Sequence, residues 1–189
     1  MKKLSILLIL LSSVNLNAQV LPDSSRTFRA MGTEADVLPY MTGGYYGSVW
    51  YATGHLRYRA VVTRVTTPDF MLKDQFTDNR MMVYTLLADY FFRPYARGWW
   101  LGGGFEYWDA EIRTELKRET AGYQSYIATL GGGYVWRFWK GFYLNPWGAV
   151  HYRIGGDQEV AVDRQMFRPA RFVPEGSLKL GWMIRLNKR

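Results

Sequence analysis

The chain has 189 residues and no cysteine, which excludes disulfides, thiolate metal sites and cysteine nucleophiles. Apolar residues make up 48% and charged residues 21%, a balance that excludes disorder and low complexity. The formal net charge is +8, aromatics reach 17%, and His55 and His151 are the two histidines, so a zinc site built from several imidazoles is not expected.

Residues 1–18 read as a secretory signal peptide. Lys2 and Lys3 form the charged start, Leu4 to Leu11 the apolar core, and Leu16-x-Ala18 a cleavage site before Gln19. That core is too short to cross a ~30 Å hydrocarbon layer as a helix. Its removal takes two lysines and lowers the net charge from +8 to +6. Export without cysteine suits a Gram-negative bacterial envelope better than a eukaryotic secretory route. Residues 19–35 are polar and aperiodic, and are expected to form a flexible N-terminal segment ahead of one domain over 36–189.

Further along, the longest stretch without formal charge, Val37 to Leu56, is interrupted by Pro39 and four glycines, so a spanning helix is not expected there. Period-2 alternation recurs instead. In 55–66, Leu56, Tyr58, Ala60 and Val62 oppose Arg57, Arg59, Val61 and Thr63. In 80–92, Met82, Tyr84, Leu86, Ala88 and Tyr90 oppose Val83, Thr85, Leu87 and Asp89. Segments 98–112 and 121–138 alternate in the same way and carry the glycine triplets 102–104 and 131–133. Phe142 to Ile154 is the clearest case, with Leu144, Val150 and Tyr152 opposing Asn145, His151 and Arg153. In 173–186, Leu178, Leu180, Trp182 and Ile184 oppose Glu175, Ser177, Lys179 and Arg185.

Three features separate a membrane barrel from a soluble sandwich. The strands run to roughly 10–16 residues, whereas globular strands centre on about 5–6 and a tilted membrane strand needs about 9–11. Tyr90, Trp99, Tyr107, Trp136, Tyr152 and Trp182 fall near strand ends, as interfacial girdles require. The less apolar face carries mid-strand charges together with glycine, which a sandwich core would reject.

Short connections at 53–54, 93–97 and 139–140 alternate with long ones near 67–79, 113–120 and 156–172. With short turns on the periplasmic side, seven strands follow from residue 45 onward, and an even count requires one more before Gly43-Gly44. Residues 36–42 are the expected eighth strand, with Pro39 at an edge or bulge. The alternative is a hairpin at 158–164 and one bent strand over 36–53.

With that pattern, residues 36–187 resemble the small outer-membrane barrels of the OmpA transmembrane-domain and OmpW type. The resemblance implies an all-β, antiparallel, up-and-down, eight-stranded transmembrane barrel in a bacterial outer membrane, porin-like in build. The last strand ends Leu186-Asn187-Lys188-Arg189 in place of the usual terminal aromatic. The segments NPWGAVH (145–151) and GGYYGSVWY (43–51) look like marks of a narrower family. Expected partners are lipopolysaccharide and the barrel-assembly machinery, with a monomeric state.

The expected lumen set is Arg57, Arg59, Asp89, Glu106, Arg137, Asn145, His151, Arg153, Glu175 and Lys179. These residues would form a paired polar plug, since an eight-stranded interior is only wide enough for side chains. Arg164, Arg168 and Arg171 in the last long loop are candidates for anionic lipid contact. His151, Ser177 and Glu175 are the conceivable catalytic trio of a lipid A-modifying enzyme, although no motif fixes their geometry. No cofactor or metal is expected. Scattered arginines in an exported chain do not suit nucleic acid. The reading favoured is a structural or surface-interaction barrel without catalysis. A lipid A acyl hydrolase or transferase, a narrow solute channel and a soluble lipocalin-like binder are the alternatives.

Overall fold

The structure, a computed structural model, describes residues 28–72, 75–116 and 119–186. The expected signal, residues 1–18, lies outside them. The strands are β1 Arg29–Asp36, β2 Tyr45–Thr53, β3 Leu56–Thr66, β4 Phe76–Arg93, β5 Arg97–Thr114, β6 Thr120–Trp139, β7 Phe142–Gly156, β8 Val160–Val162, β9 Gln165–Phe167 and β10 Phe172–Arg185. Eight of them close into an antiparallel barrel in the order β1-β10-β7-β6-β5-β4-β3-β2. The hairpin β8–β9 stands apart, inserted in the connection between β7 and β10. Closure gives each of the eight a strand neighbour on both sides.

The eighth strand is not where the pattern put it. It is β1, Arg29–Asp36, which pairs with β2 on one side and β10 on the other. The barrel therefore begins before residue 36, inside the segment expected to be a flexible lead-in. Residues 37–41 form α1 (Val37–Met41), a single helical turn whose first exposed amide is capped by Asp36 (Leu38 N to Oδ1, 3.1 Å). Pro39 is tolerated inside this turn because residues so near a helix start have no amide partner to lose. The bent strand over 36–53 is likewise not formed, and the outer hairpin lies at 160–167 rather than 158–164.

The other seven strands lie within a few residues of their expected bounds. The turn between β6 and β7 shows why short connections suffice: Lys140 and Gly141 both have positive φ, 34° and 94°, the conformation whose twist matches a tight hairpin. Short turns gather at one end of the barrel with Arg29 and Arg185. The long connections gather at the other, where β4, β5 and β6 project furthest, at 18, 18 and 20 residues.

Burial follows the period of two. In β3, Arg57, Arg59, Val61 and Thr63 point inward and are buried, while Leu56, Tyr58 and Val62 are exposed outside. The barrel is thus inside-out relative to a soluble fold, with charges in and large apolar groups out. Two rows of aromatics mark the exterior. Across β4, β5 and β6, Tyr84 stacks on Tyr107, which in turn meets Tyr126 at a tilt. Nearer the short turns lie Trp99 against Tyr134, Trp136 against Phe138 and Trp139 against Phe142. Trp99 and Tyr107 on β5, like Tyr134 and Tyr126 on β6, are eight residues apart. That is about 26 Å along a strand and roughly 20 Å along the axis of a barrel tilted by ~40°. Leu86, Leu101, Phe105 and Leu130 fill the band between. Beyond the tyrosine row the exterior turns polar, at Arg80, Asp109, Glu111 and Gln124.

Candidate functional site

The interior is layered along the barrel axis. At the short-turn end, Phe28, Trp50, Phe91, Trp100, Tyr143 and Met183 form one apolar cluster. At the long-loop end, Phe76, Ile112 and Tyr123 pack against Val162 and Phe167 of the β8–β9 hairpin. Charged groups lie between the two clusters.

Glycines make the first cluster possible. A Cβ on Gly181 would lie 2.1 Å from Tyr143 Cζ, and one on Gly133 would meet the Trp100 indole at 3.0 Å. The two triplets are offset across β5 and β6 and meet at one pair, Gly102 opposite Gly131. On the inner side of this thin wall, a Cβ at Gly102 would strike Asp89 Oδ1 at 2.3 Å.

Asp89 and Glu34 form the centre of the charged layer, each beside two arginines. Arg57 lies opposite Asp89 across β3 and β4, and its Nε donates to Asp89 Oδ2 at 2.8 Å. Its Nη1 donates to Glu34 Oε1 at 3.0 Å. Arg59 grips Asp89 through Nε and Nη2, at 2.8 and 2.9 Å, and its Nη1 is 3.7 Å from Glu34 Oε2. Two guanidiniums thereby meet two carboxylates, all at most 4% exposed, so the buried charge is balanced. Tyr143 and Asn145 add donors to Glu34 Oε1, at 3.0 and 3.2 Å. Trp50 Nε1 donates to Tyr143 and Trp100 Nε1 to Asn145. Arg57 also lies over Phe91 and Trp100, about 5 Å from each ring centre.

A second cluster surrounds Asp36. Trp147 Nε1 and the Ser177 hydroxyl donate to its two oxygens, at 2.8 and 2.5 Å. Lys179 Nζ lies 3.8 Å from Asp36 Oδ2 and 3.5 Å from the Trp147 ring centre. A third surrounds His151, whose Nε2 is 3.0 Å from Glu175 Oε2 and whose Nδ1 is 3.3 Å from Glu106 Oε1. Thr129 Oγ is 3.0 Å from the same Nδ1 and donates to Glu106 Oε1 at 2.9 Å. Trp108 Nε1 donates to the other Glu106 oxygen at 2.6 Å.

Of the expected lumen set, Arg57, Arg59, Asp89 and Asn145 meet in the first cluster, Lys179 joins the second, and Glu106, His151 and Glu175 join the third. Arg137 and Arg153 join none of these clusters. Arg137 lies at the short-turn rim and donates to Ala96 O at 3.2 Å. Arg153 lies at the long-loop end and bonds Asp157 O. Glu34 and Asp36, the carboxylates that neutralise the deepest cations, were missed because β1 was missed. The trio His151, Ser177 and Glu175 is half assembled: histidine and glutamate touch, while Ser177 is turned to Asp36. Among the loop arginines, Arg168 pairs with Glu159 at 2.6 Å and Arg171 lies over Tyr152. Arg164 forms part of the β8–β9 turn with positive φ.

No family model matches the sequence, and no curated protein matches it either. Among solved structures, the chain is similar to a major outer membrane protein from Thermus thermophilus, at 13% identity and a TM-score of 0.55, covering 83% of this chain and 98% of that one. Neisserial surface protein A matches with a TM-score of 0.48 and 13% identity, covering 84% of this chain and 96% of that one. The likeness to the Thermus protein is one of fold: an eight-stranded antiparallel barrel of the kind found in small outer-membrane proteins.

Proposed function

We propose that the protein is a monomeric integral barrel of a bacterial outer membrane. Its short turns face the periplasm, its polar lumen is plugged, and its role is structural or surface-interacting without catalysis. The observation that carries this reading is the inversion of the barrel. Buried ion pairs fill the interior, while an apolar band between two aromatic rows covers the exterior. In water that band would be a continuous exposed apolar surface far larger than a soluble monomer carries. In a bilayer such a band, with its flanking aromatic rows roughly 20 Å apart along the axis, has the build of the apolar belt of an outer-membrane barrel.

The plug reading is supported by the two apolar clusters that bracket the ion pairs. The non-catalytic reading is supported by Ser177, which bonds Asp36 and is not aimed at His151. Thr129, the other hydroxyl beside His151, gives its proton to Glu106. Contact with lipopolysaccharide through Arg164, Arg168 and Arg171 belongs to the same proposal, as does delivery by the barrel-assembly machinery.

The absence of native cysteine makes the test clean. Single cysteines at 150, 180 and 184 carrying a fluorophore should be quenched by brominated lipid chains, and those at 145, 151 and 179 should not. The reverse pattern would leave only the soluble lipocalin-like barrel.

A further inference from the structure

The shortest strand of the barrel is β1, at 8 residues, and its neighbour β10 has 14. Their pairing ends at Asp36 opposite Lys179. There the chain leaves β1 for α1, while β10 extends through Phe172–Leu178 paired with β7 alone. The wall therefore has a notch in its long-loop half, and one side of β10 forms a flank of it. At the foot of the notch, α1 touches β10, β2 and β3. The opposite flank is capped, because the Tyr40 hydroxyl donates to Tyr46 O at 2.8 Å.

Backbone parity shows which groups the notch exposes. In an antiparallel strand the N–H and C=O of one residue point to the same side, and the side alternates along the chain. Met183 N donates to Gly141 O on the β7 side, and Trp182 O faces Gly32 of β1. Even-numbered residues of β10 thus turn toward β1 and, further up, toward the notch. Phe172 and Gly176 each present an N–H and a C=O there, and Pro174 a C=O. None of these groups has a backbone partner on that side among the described residues. Proline suits such an edge, since it has no N–H to leave unpaired.

Side-chain burial changes at the same point. On the inner face of β10, Lys179, Gly181 and Met183 are buried, whereas Val173, Glu175 and Ser177 are half-buried. Glu175 spends Oε2 on His151, and its Oε1 has no partner among the described residues. The outer face beside the notch is apolar, with Phe172 and Leu178 on β10 and Tyr152 and Val150 across from Phe172 and Pro174. A free strand edge repeats its donors and acceptors every second residue, about 7 Å apart, and an extended chain is what matches that repeat.

We propose that the edge of β10 over Phe172–Gly176 docks an extended peptide segment of a surface partner, added as a strand beside β10. The segment alternates apolar side chains toward the lipid with polar ones toward the lumen, where a lysine or arginine meets Glu175. This rests on the membrane reading above and gives the surface-interaction role a partner chemistry. It is separate from the loop arginines Arg164, Arg168 and Arg171.

The test is amide hydrogen exchange, read by NMR on the folded full-length barrel in micelles. In the free barrel the Phe172 and Gly176 amides should exchange fast, and those of Val173, Glu175 and Ser177 slowly. The probe is the synthetic peptide acetyl-TVTVKVTVT-amide, which at millimolar concentration should slow exchange at Phe172 and Gly176 about tenfold or more. The same peptide with alternate amides N-methylated should give no protection. Gly176→Pro removes an N–H from the notch side and none from the β7 ladder, and should weaken peptide binding about three- to tenfold. If that variant does not fold, judged by heat-shifted gel mobility, the N-methylated peptide decides. Slow exchange at both amides in the free barrel overturns the proposal, as does no protection by the peptide or equal protection by its N-methylated form. Protection that rises with barrel concentration alone would make a second copy the occupant and overturns it too. A chain that does not float with vesicles sinks the membrane reading; one that floats but takes no peptide at this edge sinks this inference alone.

Discussion

Arg59 lays its guanidinium fork on Asp89, with Nε 2.8 Å from Oδ2 and Nη2 2.9 Å from Oδ1, in a lumen where neither side chain is more than 2% exposed. Asp89 is also the acceptor for Arg57, so one carboxylate neutralises parts of two cations. Asp89→Asn keeps the shape and removes the charge. Two guanidiniums would then share Glu34 alone. Unfolding in urea from detergent or vesicles should show a loss of about 3–5 kcal/mol. The double variant R59L/D89L should lose less than D89L alone, because Arg57 and Glu34 remain a matched pair at 3.0 Å. Equal losses in the two variants would mean that the charge balance is not what holds this layer.

Gly181 offers a test of the packing beneath that layer. Its missing Cβ leaves room for Tyr143, whose ring would otherwise be met at 2.1 Å. Tyr143 is 1% exposed and links Trp50 to Glu34 through its hydroxyl. Gly181→Ala must therefore displace the ring, and overpacking of this kind typically costs about 1–3 kcal/mol. In a Tyr143→Leu background the alanine should cost much less than in the parent chain. Comparing unfolding midpoints of the two pairs of variants checks this. An alanine equally costly in both backgrounds would place the strain in the backbone of β10 and not in the Tyr143 ring.

What the sequence revealed and what it hid have separate physical causes. Strands with one strongly apolar face were legible, because burial and lipid exposure impose the same period of two. Arg57, Arg59 and Asp89 could be placed together from their shared face and their position near the same end of neighbouring strands. Strand β1, RAMGTEAD, defeats that logic. Its outward residues include Arg29, Thr33 and Ala35, so neither face reads as apolar. It is a strand because β2 and β10 each present it an unpaired edge, which is tertiary context. Charge arithmetic held a clue. The expected lumen set had more cations than Asp89, Glu106 and Glu175 could neutralise, and buried cations need partners. Glu34 and Asp36 supply them. The tie of Ser177 to Asp36 was hidden for the same reason.

His151 touches two carboxylates but no free hydroxyl, and this bears on lipid A chemistry. An acyl transfer needs a nucleophile whose proton the histidine can take. Ser177 and Thr129 both direct their protons to carboxylates. Lipid A from cells expressing the wild-type barrel, the His151→Ala variant or no barrel should therefore show the same acyl pattern by mass spectrometry. The variant should still be less stable, because Glu106 and Glu175 lose the group between them. A change in acylation that depends on His151 would establish the enzyme reading.

The hairpin β8–β9 is the obvious candidate for a gate, since Val162 and Phe167 are buried against Phe76, Ile112 and Tyr123 at the long-loop end. Its removal should nevertheless leave the barrel closed. The Arg57–Glu34–Arg59–Asp89 layer and the Trp50, Phe91, Trp100 and Tyr143 cluster lie deeper and are held by strands alone. An eight-stranded interior has no bore left once such side chains fill it. In planar bilayers both the intact barrel and a variant with 158–168 replaced by a short glycine-serine turn should be electrically silent. Steady conductance from the intact barrel would contradict the plug. Conductance appearing only in the shortened variant would make the hairpin a lid over a real pore, and would assign the deeper layer to ion passage instead of closure.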